Sequence, residues 1–110
     1  MKTKKIYLAG LTERGDDEWV WQGFVVAISM AEAKSLLVAL IKKAGLKLTT
    51  VVDVGPTGEA EDIGNQKVKS GIYNSTSYDE LEANAAFCFT PTHSKSFKVA
   101  VEEFWDISPW

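Results

Sequence analysis

The chain has 110 residues, 45% of them hydrophobic and 25% charged, with a formal net charge of −3. That length suits one domain with its own core, and the apolar content excludes a natively disordered chain. The mild acidity excludes a protein that grips nucleic acid through a basic surface.

Cys88 is the only cysteine, so no intramolecular disulfide can form. The basic start Met1-Lys2-Thr3-Lys4-Lys5 precedes an apolar run from Ile6 to Leu11 only. That run is too short for a signal peptide or a membrane span. The expected setting is the cytoplasm, with no membrane and no nucleic acid as a direct partner.

In chain order, Lys5 to Leu11 reads as a first strand, apolar enough to lie inside a sheet. Thr12 to Glu18 is polar, and Gly15-Asp16-Asp17 is turn-forming. Trp19 to Ile28 reads as a second strand, paired with the first in a hairpin. Alternation puts Trp19, Trp21, Val25 and Ala27 on one face and Val20, Phe24, Val26 and Ile28 on the other.

Ser29-Met30-Ala31-Glu32 is a capping box. After it Ala33, Leu36, Leu37, Leu40, Ile41 and Ala44 recur at helical spacing, Lys42 and Lys43 suit the negative end of the helix dipole, and Gly45 is the terminator. The spacing predicts a helix over Met30 to Ala44. Leu46 to Val54 alternates as a third strand, and Gly55-Pro56-Thr57-Gly58 breaks it. The polar stretch to Lys69 reads as an exposed loop, and Gly71 to Ser75 as a short edge strand.

A second capping box, Ser77-Tyr78-Asp79-Glu80, opens a short helix to about Ala86. Phe97, Ala100, Val101, Phe104 and Trp105 predict a final helix after Pro91, although Phe97, Val99 and Val101 also alternate as in a strand. The fold class is therefore α+β. A small antiparallel sheet with a ββαβ core carries one long helix on one face, and C-terminal helical segments lie over the other face or an edge. The expected core contains Ile6, Leu8, Phe24, Val26, Ile28, Leu36, Leu37, Leu40, Ile41, Val52 and Phe104.

Two stretches resemble known families. Lys5-Ile6-Tyr7-Leu8-Ala9-Gly10 resembles the opening strand of nucleoside 2-deoxyribosyltransferases, which implies a nucleotide-binding alternative. Leu11 stands where that family has proline, and a strand rather than a helix follows. The run from Lys5 through Ser77 resembles small accessory proteins of bacteriophages and mobile elements. The matching residues are Asp16-Asp17-Glu18, Val26-Ala27-Ile28-Ser29, Glu32-Ala33, Thr50-Val51-Val52-Asp53-Val54-Gly55 and Ser70-Gly71-Ile72-Tyr73. That resemblance implies a setting rather than a reaction.

No residue set in the sequence suffices for catalysis. Cys88 and His93 could form a dyad, but Cys88 sits between Phe87 and Phe89, where a buried, inert thiol is expected. One Cys and one His supply two of the four ligands of a structural zinc site. Asp16-Asp17-Glu18 lacks calcium-loop spacing, and Glu59, Glu61 and Asp62 read as solvated turn carboxylates. Gly55 to Glu59 lacks the Gly-Lys-Ser/Thr ending of a phosphate loop. No cofactor is expected.

The aromatic residues carry the functional reading. Trp19 and Trp21 on one strand face, with Trp105 and Trp110 near the C-terminus, predict an exposed aromatic patch flanked by Asp16, Asp17 and Glu18. Such a patch anchors a protein partner; the bland alternative is that the second helix or the C-terminal segment covers it. The expected function is a non-catalytic protein-protein interaction module, such as an accessory protein that inhibits a host complex of the defence type. The alternatives are a small-molecule or nucleotide binder, and a homo-oligomer paired through the Trp-rich strand or an edge strand.

Overall fold

A computed structural model describes residues 3–13, 19–54, 59–74, 77–84 and 87–107. Asp16, Asp17, Glu18, Trp110 and the turn Gly55 to Gly58 lie outside the described residues. The side chains of Phe104 and Trp105 lie outside them as well.

The strands are β1 (Lys5–Thr12), β2 (Trp19–Ala27), β3 (Thr49–Asp53), β4 (Glu61–Asp62), β5 (Gly71–Tyr73) and β6 (Cys88–Phe89). The helices are α1 (Met30–Ala44), α2 (Tyr78–Asn84) and α3 (Ser94–Ile107), the last entered through a short 3-10 turn at Pro91–His93. The fold is α+β. The strands form one antiparallel sheet in the order β3-β1-β2-β5-β6, with β4 also paired to β1.

Local chemistry sets the helix ends. Ser29 Oγ accepts from the Glu32 N–H at 3.2 Å, which satisfies a donor the first turn leaves free. Gly45 takes the left-handed conformation at φ 75°. The Gly45 and Leu46 N–H groups donate back to the Lys42 and Ile41 carbonyls, a Schellman-type close. At α2, Ser77 Oγ accepts from the Glu80 N–H at 3.1 Å.

The β1–β2 register holds the main departure from simple alternation. Leu11 lies opposite Trp21, yet Thr12 lies opposite Trp19. Val20 is thus an extra residue on β2, a bulge that flips the side-chain parity at the start of the strand. Trp19 and Trp21 therefore occupy opposite faces, not the shared face that unbroken alternation predicts.

One face, the helical face, carries Tyr7, Ala9, Leu11, Trp21, Val25, Ala27 and Ile72 under α1 and α3. The far face carries Ile6, Phe24, Val26 and Tyr73, covered by Ile63, Val68 and Leu81. The expected helix on one face is α1, and the face it takes is that of Trp21 and Val25. Both faces of β2 are apolar, so pattern alone does not decide which one the helix takes. Small residues do. Ala9 and Ala27 leave room under α1, and the Trp21 ring occupies the space above Gly23.

Three further expectations change. Ile28 is 36% exposed, because β2 ends at Ala27 and Ile28 belongs to the turn into the Ser29 cap. Leu8, Leu36 and Val52 are only partly buried, at the margins of the two clusters. Both C-terminal helices were expected on the face or edge away from α1, but α3 shares the helical face with α1 through Phe97 and Val101.

β5 is not an edge strand, because β6 pairs beyond it. The stretch read as an exposed loop after Gly58 contributes β4 and two core residues, Ile63 and Val68. Gln66 stitches that stretch down. Its Oε1 accepts from the Lys4 N–H at 2.8 Å, and its Nε2 donates to the Lys4 and Ile63 carbonyls at 3.0 and 2.6 Å. The final segment is a helix, as its 3.6-residue spacing predicts.

A side chain on Gly23 has no room: its Cβ would sit 2.5 Å from the Trp21 ring and 2.5 Å from the Tyr73 carbonyl oxygen. The oxygen is backbone and cannot swing away. Gly23→Ala is expected to cost at least about 1–3 kcal/mol through overpacking, read as a lower urea midpoint at unchanged m-value.

Candidate functional site

The tryptophans divide on inspection. Trp21 is fully buried at 0% exposure, so it is core and not part of a partner-binding patch. Its ring meets Phe97 edge-on at 5.3 Å between centroids, and its Nε1 finds no hydrogen-bond partner among the described residues. Trp19 is half-buried on the far face. Its indole lies over Gly10, where a Cβ would fall 2.7 Å from ring carbons. The covering proposed for Trp21 as the bland alternative is what occurs, with α3 supplying Phe97. Trp105 is a position of α3 whose side chain is not described.

A different aromatic surface is present. From the core outward, Trp21 meets Phe97, Phe97 meets Phe89 at 5.3 Å, and Phe89 meets Phe87 at 4.7 Å, each pair edge-to-face. His93 completes the series at 5.9 Å from Phe87. Exposure rises from 0% at Trp21 and Phe97 to 3% at Phe89 and 55% at Phe87. Phe87 is the most exposed large hydrophobic side chain among the described residues. Edge-to-face stacking adds about 0.5–1.5 kcal/mol per pair beyond area burial, so Phe87 is braced on a buried column rather than free to swing.

Neighbouring backbone and polar groups fix this surface. The Phe87 carbonyl accepts from the Asn74 N–H at 3.2 Å, continuing the β5–β6 pairing by one step. His93 Nδ1 lies 3.4 Å from the Thr90 N–H, which donates to it, and 3.1 Å from Thr90 Oγ1. Thr90 Oγ1 is also 2.6 Å from Thr92 Oγ1. With Nδ1 accepting from the backbone, neutral His93 carries its proton on Nε2. These hydroxyls and the imidazole make a polar rim beside the exposed ring.

Cys88 and His93 do not meet. Strand alternation turns Cys88 to the far face beside Tyr73, while Phe87 and Phe89 turn to the helical face, where His93 lies. The Cys88 sulfur packs against Gly71, and burial pushes the thiol pKa up, away from the reactive thiolate. Burial likewise raises the Tyr73 hydroxyl, which donates to the Lys69 carbonyl at 2.6 Å.

Asp62 is held below the usual carboxylate range by the Thr3 hydroxyl at 2.7 Å and by Lys5 at 3.2 Å. It is tied into the sheet edge rather than grouped with other carboxylates. No cluster of three or more metal-ligating side chains occurs among the described residues. A shallow groove on the solvent side of α1 is lined by Lys34, Ser35, Val38, Ala39 and Lys42.

Sequence reasoning missed Phe87. The available signal was the Phe87-Cys88-Phe89 alternation, which puts both phenylalanines on one face. Nothing in the sequence said that Phe89 would be covered and Phe87 left exposed.

The chain matches no family model, no characterised protein and no solved structure. No helix among the described residues is long and apolar enough to cross a membrane.

Two outcomes follow from the buried groups. Trp21→Ala is expected to cost about 3–5 kcal/mol, measured by urea unfolding, because it removes the ring that joins β2 to α3. The Cys88 and Tyr73 values are raised by folding, so their contribution to stability is intact below the unfolded pKa values and is lost as pH rises through the folded ones. Stability is therefore expected to fall from about pH 8.5 upward, where unfolded cysteine begins to ionise, and faster above about pH 10 as unfolded tyrosine follows. Urea midpoints across that range check this, and Cys88→Ala should flatten the first part of the decline.

Proposed function

We propose that the protein works by binding another protein in the cytoplasm, with Phe87 as the anchor of its contact surface and His93, Thr90 and Thr92 as the rim. The observation that carries this reading is Phe87 itself. It is a large apolar ring 55% exposed, yet stacked on the buried Phe89. Aromatic side chains of this kind dominate interface energetics, and one already braced loses little rotamer freedom on binding. A polar rim around an apolar centre is the usual anatomy of such contacts.

The sequence supports the setting. A single cysteine needs no oxidising compartment, and the resemblance to phage and mobile-element accessory proteins suits a small partner-directed domain. In that setting the partner is a host complex, such as a component of a defence system. The aromatic anchor is Phe87 in place of the buried Trp21; the interaction role stays.

Affinity capture with the tagged protein, run beside Phe87→Asp, tests the reading. The variant is expected to melt within a few degrees of the wild type, since the ring is mostly exposed, and to lose proteins that the wild type retains. Identical captured sets from the two proteins would overturn the assignment of the surface to Phe87.

A further inference from the structure

We infer that the outer edge of β3 pairs with the same strand of a second copy of this chain, forming a two-fold dimer with one continuous sheet. The inference is independent of the Phe87 surface, which lies by β6 at the other end of the strand order.

β3 ends the strand order and pairs with β1 alone among the described strands. An unpaired edge is a template for another strand, and proteins normally blunt it. β6, the opposite edge, is blunted: it has two residues, with Pro91 two positions beyond. β4 also has two residues, and its Asp62 is held by Lys5 and Thr3. β3 has none of these devices. Its five residues, Thr-Thr-Val-Val-Asp, include four β-branched side chains, no proline and no lysine. It also pairs with β1 in unbroken register from Leu8–Asp53 to Thr12–Thr49.

A second copy is favoured because the edge is complementary to itself. With pairing continued through Leu48 and Lys47, which directly precede β3, a two-fold axis at Thr50 would place Thr50 opposite its own equivalent and Lys47 opposite Asp53 of the partner subunit. It also sets Leu48 against Val52 of the partner subunit. Leu48 and Val52 both pack against the core of the helical face, so the apolar pair would lie on that side of the joined sheet. Lys47 and Asp53 are exposed and share the other parity, so the two symmetric ion pairs would lie together on the far side. Asp53 Oδ1 already accepts from the Val54 N–H at 2.7 Å, and a carboxylate has acceptor capacity left for an ammonium. A short strand pair is a small interface, so the dimer is expected in the range of about 1–100 µM rather than tighter.

Sedimentation velocity over a concentration series tests this with the full chain. The wild type is expected to pass from monomer to dimer. Lys47→Glu alone and Asp53→Lys alone each turn two attractive pairs into repulsive ones, and each should weaken the dimer at least about tenfold. An equimolar mixture of the two variants restores opposite charges across the junction and is expected to recover a heterodimer. The double variant Lys47→Glu with Asp53→Lys should recover the homodimer, which separates charge pairing from a folding defect in either single variant. A wild type monomeric throughout the series, or a dimer that neither single substitution weakens, would overturn the inference. Phe87→Asp should leave the dimer intact, so this result and the partner-capture result stand or fall separately.

Discussion

Trp21 holds the two halves of the chain together. Its ring lies across Gly23 on its own strand and meets Phe97 of α3 edge-on, so the N-terminal hairpin and the last helix share one contact. That geometry needs three things at once. Trp21 must share the parity of Val25 and Ala27, which the unbroken register from Ala27 back to Trp21 gives it, Gly23 must lack a side chain, and Phe97 must face inward from α3. The cost is a buried indole N–H without a partner among the described residues, a desolvation penalty of about 1–3 kcal/mol. Burial of one of the largest side chains, together with its aromatic contacts, outweighs that penalty, since removing such a ring typically costs about 3–5 kcal/mol. The column that begins at Trp21 continues through Phe97 and Phe89 to Phe87. The exposed ring is thus the outer end of the core, and its rigidity derives from the same packing.

What the sequence disclosed followed from chemistry that acts over a few residues. The Ser29 hydroxyl, the apolar stripe from Ala33 to Ala44 and Gly45 bounded α1 correctly at both ends, because caps and helical spacing are local properties. The class, the antiparallel hairpin and the helical character of α3 followed for the same reason. The failures were non-local. Trp19-Val20-Trp21 fits simple alternation, and only the opposing Leu11 and Thr12 reveal that Val20 is extra. Both faces of β2 are apolar, so the helix could be assigned to either; the small residues Ala9, Gly23 and Ala27 decided it, a steric signal that hydrophobic pattern ignores. β6 is two residues long, too short for any periodicity to show.

The same reasoning explains why Trp21 is core rather than surface. Four tryptophans in a short chain look like a surface surplus, although the two apolar faces of β2 already call for cover on both sides. This sheet is covered on both: α1 and α3 lie over one side, and Ile63, Val68 and Leu81 seal the other. A sheet buried on both sides needs large apolar residues at both parities, and β2 supplies them. Exposure then appears where cover ends rather than where aromatics are most numerous. Phe87 precedes β6, stacks on Phe89 and is left 55% exposed as the projecting member of a stacked series.

The two ends of the sheet are thereby unlike in a way that bears on assembly. At the β6 end the backbone edge is short and the side chains are prominent, which suits recognition through an aromatic anchor. At the β3 end the side chains are small and β-branched while the backbone edge is longer and unpaired among the described residues, which suits strand pairing. Main-chain pairing is generous in affinity per residue but poor in discrimination, so an unguarded edge is tolerable only where charge placement fixes one register. Lys47 and Asp53 meet that need, because their two-fold match is lost if the strands slip by a single residue. A dimer joined at β3 would also carry its two Phe87 surfaces at opposite extremes of one extended sheet. Such a dimer would engage a partner with repeated sites by effective concentration, so that a weak single contact at Phe87 would suffice.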